Sequence, residues 1–205
     1  MIFEIFLVFF LSYLSGSIPF GYILTKIFIK KDIRNIGSKS IGATNVLRTG
    51  NKLVAASTLF FDILKGIIPI IVTNYYFPNL IYLSGLMALL GHIFPVWLKF
   101  NGGKGVATYL GILFALSIQL GLLFIFTWLI VALIFKYSSL SSMFSSLTVF
   151  VVCFIKDTAL KSINANININ DDIKFTLFIF FILIIFTHRK NISNLKNKTE
   201  QKIKI

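Results

Sequence analysis

The runs 5–24, 66–90, 106–135, 143–155 and 175–187 of this chain contain no charged side chain. A helix needs about 20 predominantly apolar residues to cross the hydrocarbon core of a bilayer. Most of these runs reach or approach that length, and they recur along the whole chain. Composition agrees: 57% of the 205 residues are hydrophobic, 23 are Phe and only 13% are charged, where a soluble domain would carry about a quarter charged residues. A transmembrane barrel would instead alternate apolar and polar residues in strands of about ten. The expected class is an all-α membrane protein.

The net charge of +13 raises nucleic acid as a ligand, but the apolar spans leave no soluble basic face for it. The basic residues fall between the apolar runs, as the positive-inside bias requires. The chain begins Met1-Ile2-Phe3-Glu4 and meets its first cations at Lys26, Lys30 and Lys31. A cleaved signal peptide has the opposite order, so the N-terminus is expected outside and the following loop in the cytosol. Cys153 is the single cysteine, which rules out a disulfide within the chain.

Seven spans are expected, near 3–25, 53–73, 79–98, 106–118, 121–135, 139–156 and 173–187, in a single domain covering 1–205. Pro19 should kink the first. The segment 106–135 reads either as one long helix or as two short ones broken near Gln119 and Gly121. Charge parity favours two: 16 Lys/Arg then lie inside and 3 outside, against 12 inside if the segment is one helix. Two short helices also place the C-terminus in the cytosol. The polar segment 157–172 is expected as the largest outer loop, a solvated connector. A transporter would place polar side chains at mid-membrane and often shows inverted repeats. Here no repeat is evident, and the unusual polar segments gather on one face.

Four segments on that cytosolic face carry candidate chemistry. The first runs from Asp32 to Arg48 and includes Gly37-Ser38 and Gly42-Ala43-Thr44-Asn45. Glycines allow close backbone approach, successive amides in such turns form anion-binding nests, Ser38 and Thr44 add hydroxyls, and Arg48 offers a planar fork for phosphate. The plain alternative is a turn, a helix cap and ordinary inside cations. The second joins Gly91-His92 to Gly102-Gly103-Lys104-Gly105, which opens directly into an apolar helix. Helix N-terminal amides beside a lysine make an anion site, although the spacing is not that of a Walker A loop. His92 near a span end is alternatively a structural, hydrogen-bonded residue.

The third segment is Lys136 to Ser142, including Ser139, where serines in a membrane helix can simply bond to a carbonyl one turn back. The fourth begins at His188 and contains Asn191, three residues on and on the same face if the helix continues. Asp62 and Lys65, also three apart, lie inside a span and are expected to form a structural pair. Two patterns are absent. There is no His-x4-Asp dyad, and the seven acids form no cluster at metal-ligand spacing. No metal or other cofactor is therefore expected, and metal-dependent phosphatases or CDP-alcohol transferases are disfavoured.

These segments together resemble the bacterial acyl-phosphate-dependent glycerol-3-phosphate acyltransferase family, PlsY. The likeness rests on Gly16-Ser17-Ile18-Pro19, the stretch Gly37 to Gly50, Asp62-x-x-Lys65-Gly66, Gly91 to Thr108, Ser139-Leu140, and His188-x-x-Asn191-Ile192 with Leu195 and Glu200. Lys39-Ser40 stands where the family usually has Gly-Asn. Thr187, Asn194 and Lys198 stand where it tends to have Arg, Arg and Gly. The resemblance implies a seven-helix bundle in the bacterial cytoplasmic (inner) membrane with a cytosolic active site. The implied reaction is acyl transfer from acyl phosphate to sn-glycerol 3-phosphate, giving lysophosphatidic acid and phosphate, with functional coupling to the enzyme that makes acyl phosphate. It also implies catalytic roles for Ser38, Arg48, Lys104, His188 and Asn191. Substrate binding falls to Gly37, Gly42, Thr44, Asn45, His92, Gly102, Gly103 and Ser139.

Overall fold

The computed structural model describes residues 1–163 and 171–203. Among them every regular element is helical. The chain divides into two compact units, Met1–Ser117 and Ile118–Ile205.

The first unit opens with α1 (Ile2–Ser17), which stops at Ile18-Pro19 and resumes as α2 (Phe20–Leu24) and a π-helical turn, Thr25–Ile29. Proline lacks an amide hydrogen and crowds the preceding turn, so the expected kink is a full break, with Ile18 extended. There follow α3 (Ala43–Leu47), α4 (Lys52–Tyr76), α5 (Ile81–Ile93) and α6 (Val106–Leu116). α1 packs along α5, and α4 along α6. Gly66 and Gly111 set the second contact. A Cβ on Gly66 would strike the Thr108 carbonyl, and one on Gly111 the Ile63 carbonyl. Small residues that let backbones touch are the usual adhesive between helices in lipid, where apolar surface alone gives no drive to associate.

The second unit contains α7 (Ile118–Phe135), α8 (Ser138–Ile163), α9 (Asp171–Thr187) and α10 (Arg189–Lys196). α8 packs against both α7 and α9. Its serines face inward: Ser141, Ser142, Ser145 and Ser146 are buried, and each hydroxyl donates to a backbone carbonyl three or four residues back. The Trp128 indole N–H of α7 donates to Ser142 Oγ at 3.2 Å.

The segment 106–135 forms two helices, as charge parity requires. The break lies at Ser117, which is extended, and not near Gln119 or Gly121, which lie inside α7. The outer connector expected over 157–172 is shorter at both ends, because α8 continues to Ile163 and α9 begins at Asp171. Its centre, 164–170, lies outside the described residues. Among the described residues five helical stretches are long and apolar enough to cross a membrane: Ile2–Ile29, Lys52–Tyr76, Pro78–Leu98, Ile118–Phe135 and Ser138–Ile155. α6 has 11 residues and α9 has 17.

Burial is inverted relative to a water-soluble protein. Phe6, Phe9, Phe10, Ile71, Phe126, Ile130 and Leu133 are exposed, whereas Ser12, Thr58, Ser84 and Thr108 are buried. In lipid a Phe on the outside is solvated, and an unpaired hydroxyl there is not. Ser12 and Ser84 accordingly bond to each other at 2.9 Å across α1 and α5. The polar segment 26–52 is also more than a connector. Ile33, Ile41 and Val46 pack with Val54, Ala55 and Leu98 in a small core of their own.

The costliest buried groups are Asp62 and Lys65 on α4. Their side chains are each 2% exposed, with Lys65 Nζ 2.9 Å from Asp62 Oδ1. Lys65 Nζ also donates to the Ile18 carbonyl at 2.8 Å, which supplies a partner where the first helix breaks. Removing one member of a buried pair leaves the other charge uncompensated. Lys65→Met is therefore expected to cost about 3–5 kcal/mol. Adding Asp62→Leu should recover part of it, read as thermal unfolding midpoints in detergent.

Candidate functional site

In the first unit the site grows from one side chain. Asn45 of α3 is 2% exposed. Its Nδ2 donates to the carbonyls of Ile33, Ile36 and Ser40 at 3.2, 2.9 and 2.8 Å. An amide has only two hydrogens, so these three acceptors share them. Asn45 Oδ1 accepts from Ser38 N at 2.9 Å and from Arg48 Nη1 at 3.5 Å. The residue expected to bind substrate is thus enclosed as a strut, and it brings Ser38 and Arg48 to the same point. Both of these are exposed, as is Thr44.

Gly37 makes this convergence sterically feasible. Its φ is +51°, and a Cβ there would stand 2.8 Å from Arg48 Cδ. Lys39 and Lys198 have φ of 61° and 58°. Each lysine therefore sits in left-handed backbone that glycine adopts without strain. At the start of the loop Arg34 clasps Asp32, with Nη2 2.6 Å from Oδ2. Hydrogen bonds from Arg34 hold the Asp32 carboxyl below its usual range. A lowered carboxylate pKa favours the folded loop above the unfolded value, and that contribution disappears as pH falls through the folded one.

The link between α5 and α6 forms a second cluster. Gly103 N donates to the His92 carbonyl and Gly102 N to the Ile93 carbonyl, both at 3.1 Å. These amides, expected to face an anion, instead cap the last carbonyls of α5. Lys104 is half-buried, and Gly105, with φ of +81°, is the residue before α6. The first-turn amides of α6 have no intrahelical acceptor, so the anion-binding potential of this link moves from the glycines to Lys104 and the helix start. His92 is 3% exposed. Its Nδ1 shares a 3.1 Å hydrogen bond with Thr108 Oγ1 and stands 3.8 Å from Asp62 Oδ1.

The second unit holds its own cluster. His188 interrupts the helix between α9 and α10, so the single continuous helix that would carry His188 and Asn191 on one face does not form. His188 is 1% exposed, and its Nδ1 lies 2.8 Å from the Ile184 carbonyl. A carbonyl only accepts, so Nδ1 carries the proton, and in the neutral ring Nε2 is the lone-pair nitrogen. Glu200, in the segment after α10, gathers three donors. Ser139 Oγ and Asn191 Nδ2 reach Oε1 at 2.8 and 2.6 Å, and Asn194 Nδ2 reaches Oε2 at 3.2 Å. Ile203 N then donates to the Lys136 carbonyl at 2.8 Å. The sequence reading assigned Glu200 no role, although a lone acid among Lys196, Lys198 and Lys202 was a visible signal. Ser139, expected to meet a phosphate, has its hydroxyl proton on Glu200. Among the described residues no group of three or more His, Cys, Asp or Glu could hold a metal ion.

Replacing Asn45 by Ala strands buried carbonyls at the centre of the first cluster, at about 1–3 kcal/mol for each unsatisfied group. The expected result is a lower unfolding midpoint and faster proteolysis within 36–48. Lys198→Gly relieves left-handed strain and is expected to raise the midpoint, with a gain of about 0.5–1 kcal/mol.

A family model described as glycerol-3-phosphate acyltransferase matches residues 6–198. A glycerol-3-phosphate acyltransferase of Pelagibacter ubique (strain HTCC1062) is 53% identical over 194 residues, covering 95% of this chain and 95% of the relative. One from Brucella anthropi is 44% identical over 193 residues, covering 94% and 90%. The crystal structure of PlsY, an integral membrane glycerol 3-phosphate acyltransferase, in its glycerol 3-phosphate form superposes with a TM-score of 0.86. That comparison has 34% identity and covers 98% of this chain and 96% of that one. Its lysophosphatidic acid form gives 0.84, with 33% identity and coverage of 98% and 95%.

Proposed function

This chain belongs to the glycerol-3-phosphate acyltransferase family, and on that premise we propose that it acylates sn-glycerol 3-phosphate with acyl phosphate as the donor. The substrate hydroxyl oxygen attacks the acyl carbonyl carbon, and the bond from that carbon to the phosphate oxygen breaks. Phosphate leaves with the electron pair, and the hydroxyl proton passes to a phosphate oxygen. The products are 1-acylglycerol 3-phosphate and inorganic phosphate. An acyl phosphate already carries a good leaving group, so orientation and charge stabilisation suffice and no protein nucleophile is needed.

The observation that carries this reading is the convergence of exposed Ser38 and Arg48 on one buried strut, in a chain alike over nearly its whole length to PlsY in its glycerol 3-phosphate form. Arg48 supplies a planar fork suited to a phosphate, and Ser38 a hydroxyl beside it. Lys104 supplies a compact cation at the head of a helix whose dipole favours anions. In the second unit His188 and Asn191 are the residues assigned to phosphate. Gly37, Gly42 and Thr44 shape the approach of the phosphate, Asn45 and Glu200 hold the ligating side chains, and Ser139 steadies Glu200. Gly102 and Gly103 act through the carbonyls they cap.

The protein then works as one seven-helix unit in the bacterial cytoplasmic membrane, N-terminus outside and site at the cytosolic face. The acyl chain lies among apolar helices while both phosphates remain at the interface. The donor arrives from whichever enzyme phosphorylates or transfers the fatty acid. Arg48→Ala and Lys104→Ala are each expected to lower kcat/KM with acyl phosphate by about a hundredfold, the scale of a lost charge-assisted contact. Near-normal kcat/KM in both variants would contradict the assignment.

A further inference from the structure

We propose that His92 is a positioning residue for the Gly102–Lys104 segment, acting through Thr108 and the Asp62–Lys65 pair, and is not a ligand of the substrate. The inference deepens the reading above, because it concerns the placement of Lys104 in the same site.

The ring of His92 is closed in on both sides. Nδ1 meets Thr108 Oγ1 at 3.1 Å and faces Asp62 Oδ1 at 3.8 Å. The Nε2 edge lies over Gly103, where a Cβ would collide with it. His92, Thr108 and Asp62 are 3%, 0% and 2% exposed, so the cluster is interior to the first unit. The same residue grips the loop by its backbone, since the His92 carbonyl accepts Gly103 N and the neighbouring Ile93 carbonyl accepts Gly102 N. Ring and carbonyl of His92 thus both meet Gly103, the Ile93 carbonyl holds Gly102, and Lys104 follows directly. Thr108 stands one helical turn beyond Lys104 in sequence, so the ring also ties the start of α6 to the end of α5.

The chain of contacts continues behind the ring. Asp62 pairs with Lys65 at 2.9 Å, and Lys65 donates to the Ile18 carbonyl at 2.8 Å. The break in the first span at Pro19 is therefore linked to the lysine-bearing loop through buried side chains on α4, α5 and α6. A packing residue alone would need none of these polar partners. A direct ligand would need a ring edge turned toward substrate, and both edges are occupied by protein.

The test uses the full-length protein in nanodiscs. Thr108→Val removes the hydroxyl at nearly constant volume from a position without access to substrate. His92→Phe removes the ring nitrogens, and His92→Asn keeps a polar atom near Nδ1. If His92 positions Lys104, Thr108→Val and His92→Phe each raise by about tenfold the same KM that Lys104→Ala raises, with kcat within about twofold. The double variant is then no worse than the weaker single, because the residues act as one unit. His92→Asn restores part of the loss, and exchange at the Gly102 and Gly103 amides quickens by about tenfold in Thr108→Val.

Wild-type KM and wild-type amide exchange in Thr108→Val would overturn the proposal. So would a drop in unfolding midpoint with KM unchanged in both variants, which marks packing alone. The exchange measurement needs no turnover. If the acyl-phosphate reaction itself fails while exchange still quickens, the coupling stands and the reaction assignment falls.

Discussion

Backbone groups in a bilayer have no water to turn to, so wherever a helix breaks, its loose carbonyls and amides need a partner from the protein. The ordering of this molecule follows from how those breaks are closed. At Pro19 the Ile18 carbonyl takes the Lys65 ammonium. At the end of α5 the last carbonyls take Gly102 and Gly103. In the loop before α4, Asn45 takes carbonyls from three residues. At the start of α8 the Lys136 carbonyl takes Ile203. Three of these four repairs stand beside a segment that carries a candidate functional side chain. Irregular backbone is also where a phosphate can be approached, and within each unit the proposed ligands are carried near such breaks.

The energetics explain why such repairs use polar and even charged groups. A buried Asp–Lys pair gives little net stability compared with an apolar pair of the same shape. It is retained here where a carbonyl has lost its helical partner, and the ammonium serves carboxylate and carbonyl together. Between helices the same economy favours small and hydroxyl-bearing residues. Ser12 with Ser84, and Trp128 with Ser142, join helices whose apolar surfaces are equally content in lipid. The large aromatic residues are left on the outside.

Much of the helical framework was legible from the charge-free runs, because a membrane forces apolar residues into long uninterrupted stretches. The division of 106–135 was legible from charge parity, but its position at Ser117 was not, since a polar Gln119 is as compatible with a helix end as with a helix. The site was legible as segments and less so as roles. Asn45 looked like a ligand because its partners, the carbonyls of Ile33 and Ile36, carry no sequence signal. Gly102 and Gly103 looked like phosphate-binding residues at a helix start because composition does not reveal that their amides are already bonded. The contact from Lys65 to Ile18 spans 47 positions, and nothing local announces it. Glu200 was visible as the odd acid in a basic tail, yet its three donors come from residues as distant as Ser139.

The proposed chemistry asks little of the protein beyond this scaffolding. Two phosphate-bearing substrates meet fixed cations and hydroxyls, and the donor's own leaving group drives the step. The most direct test is to supply the purified protein in nanodiscs with glycerol 3-phosphate and acyl phosphate, with neither coenzyme A nor acyl carrier protein present. The account predicts lysophosphatidic acid and inorganic phosphate released in equal amounts. Product formed only when acyl-CoA replaces acyl phosphate would contradict it.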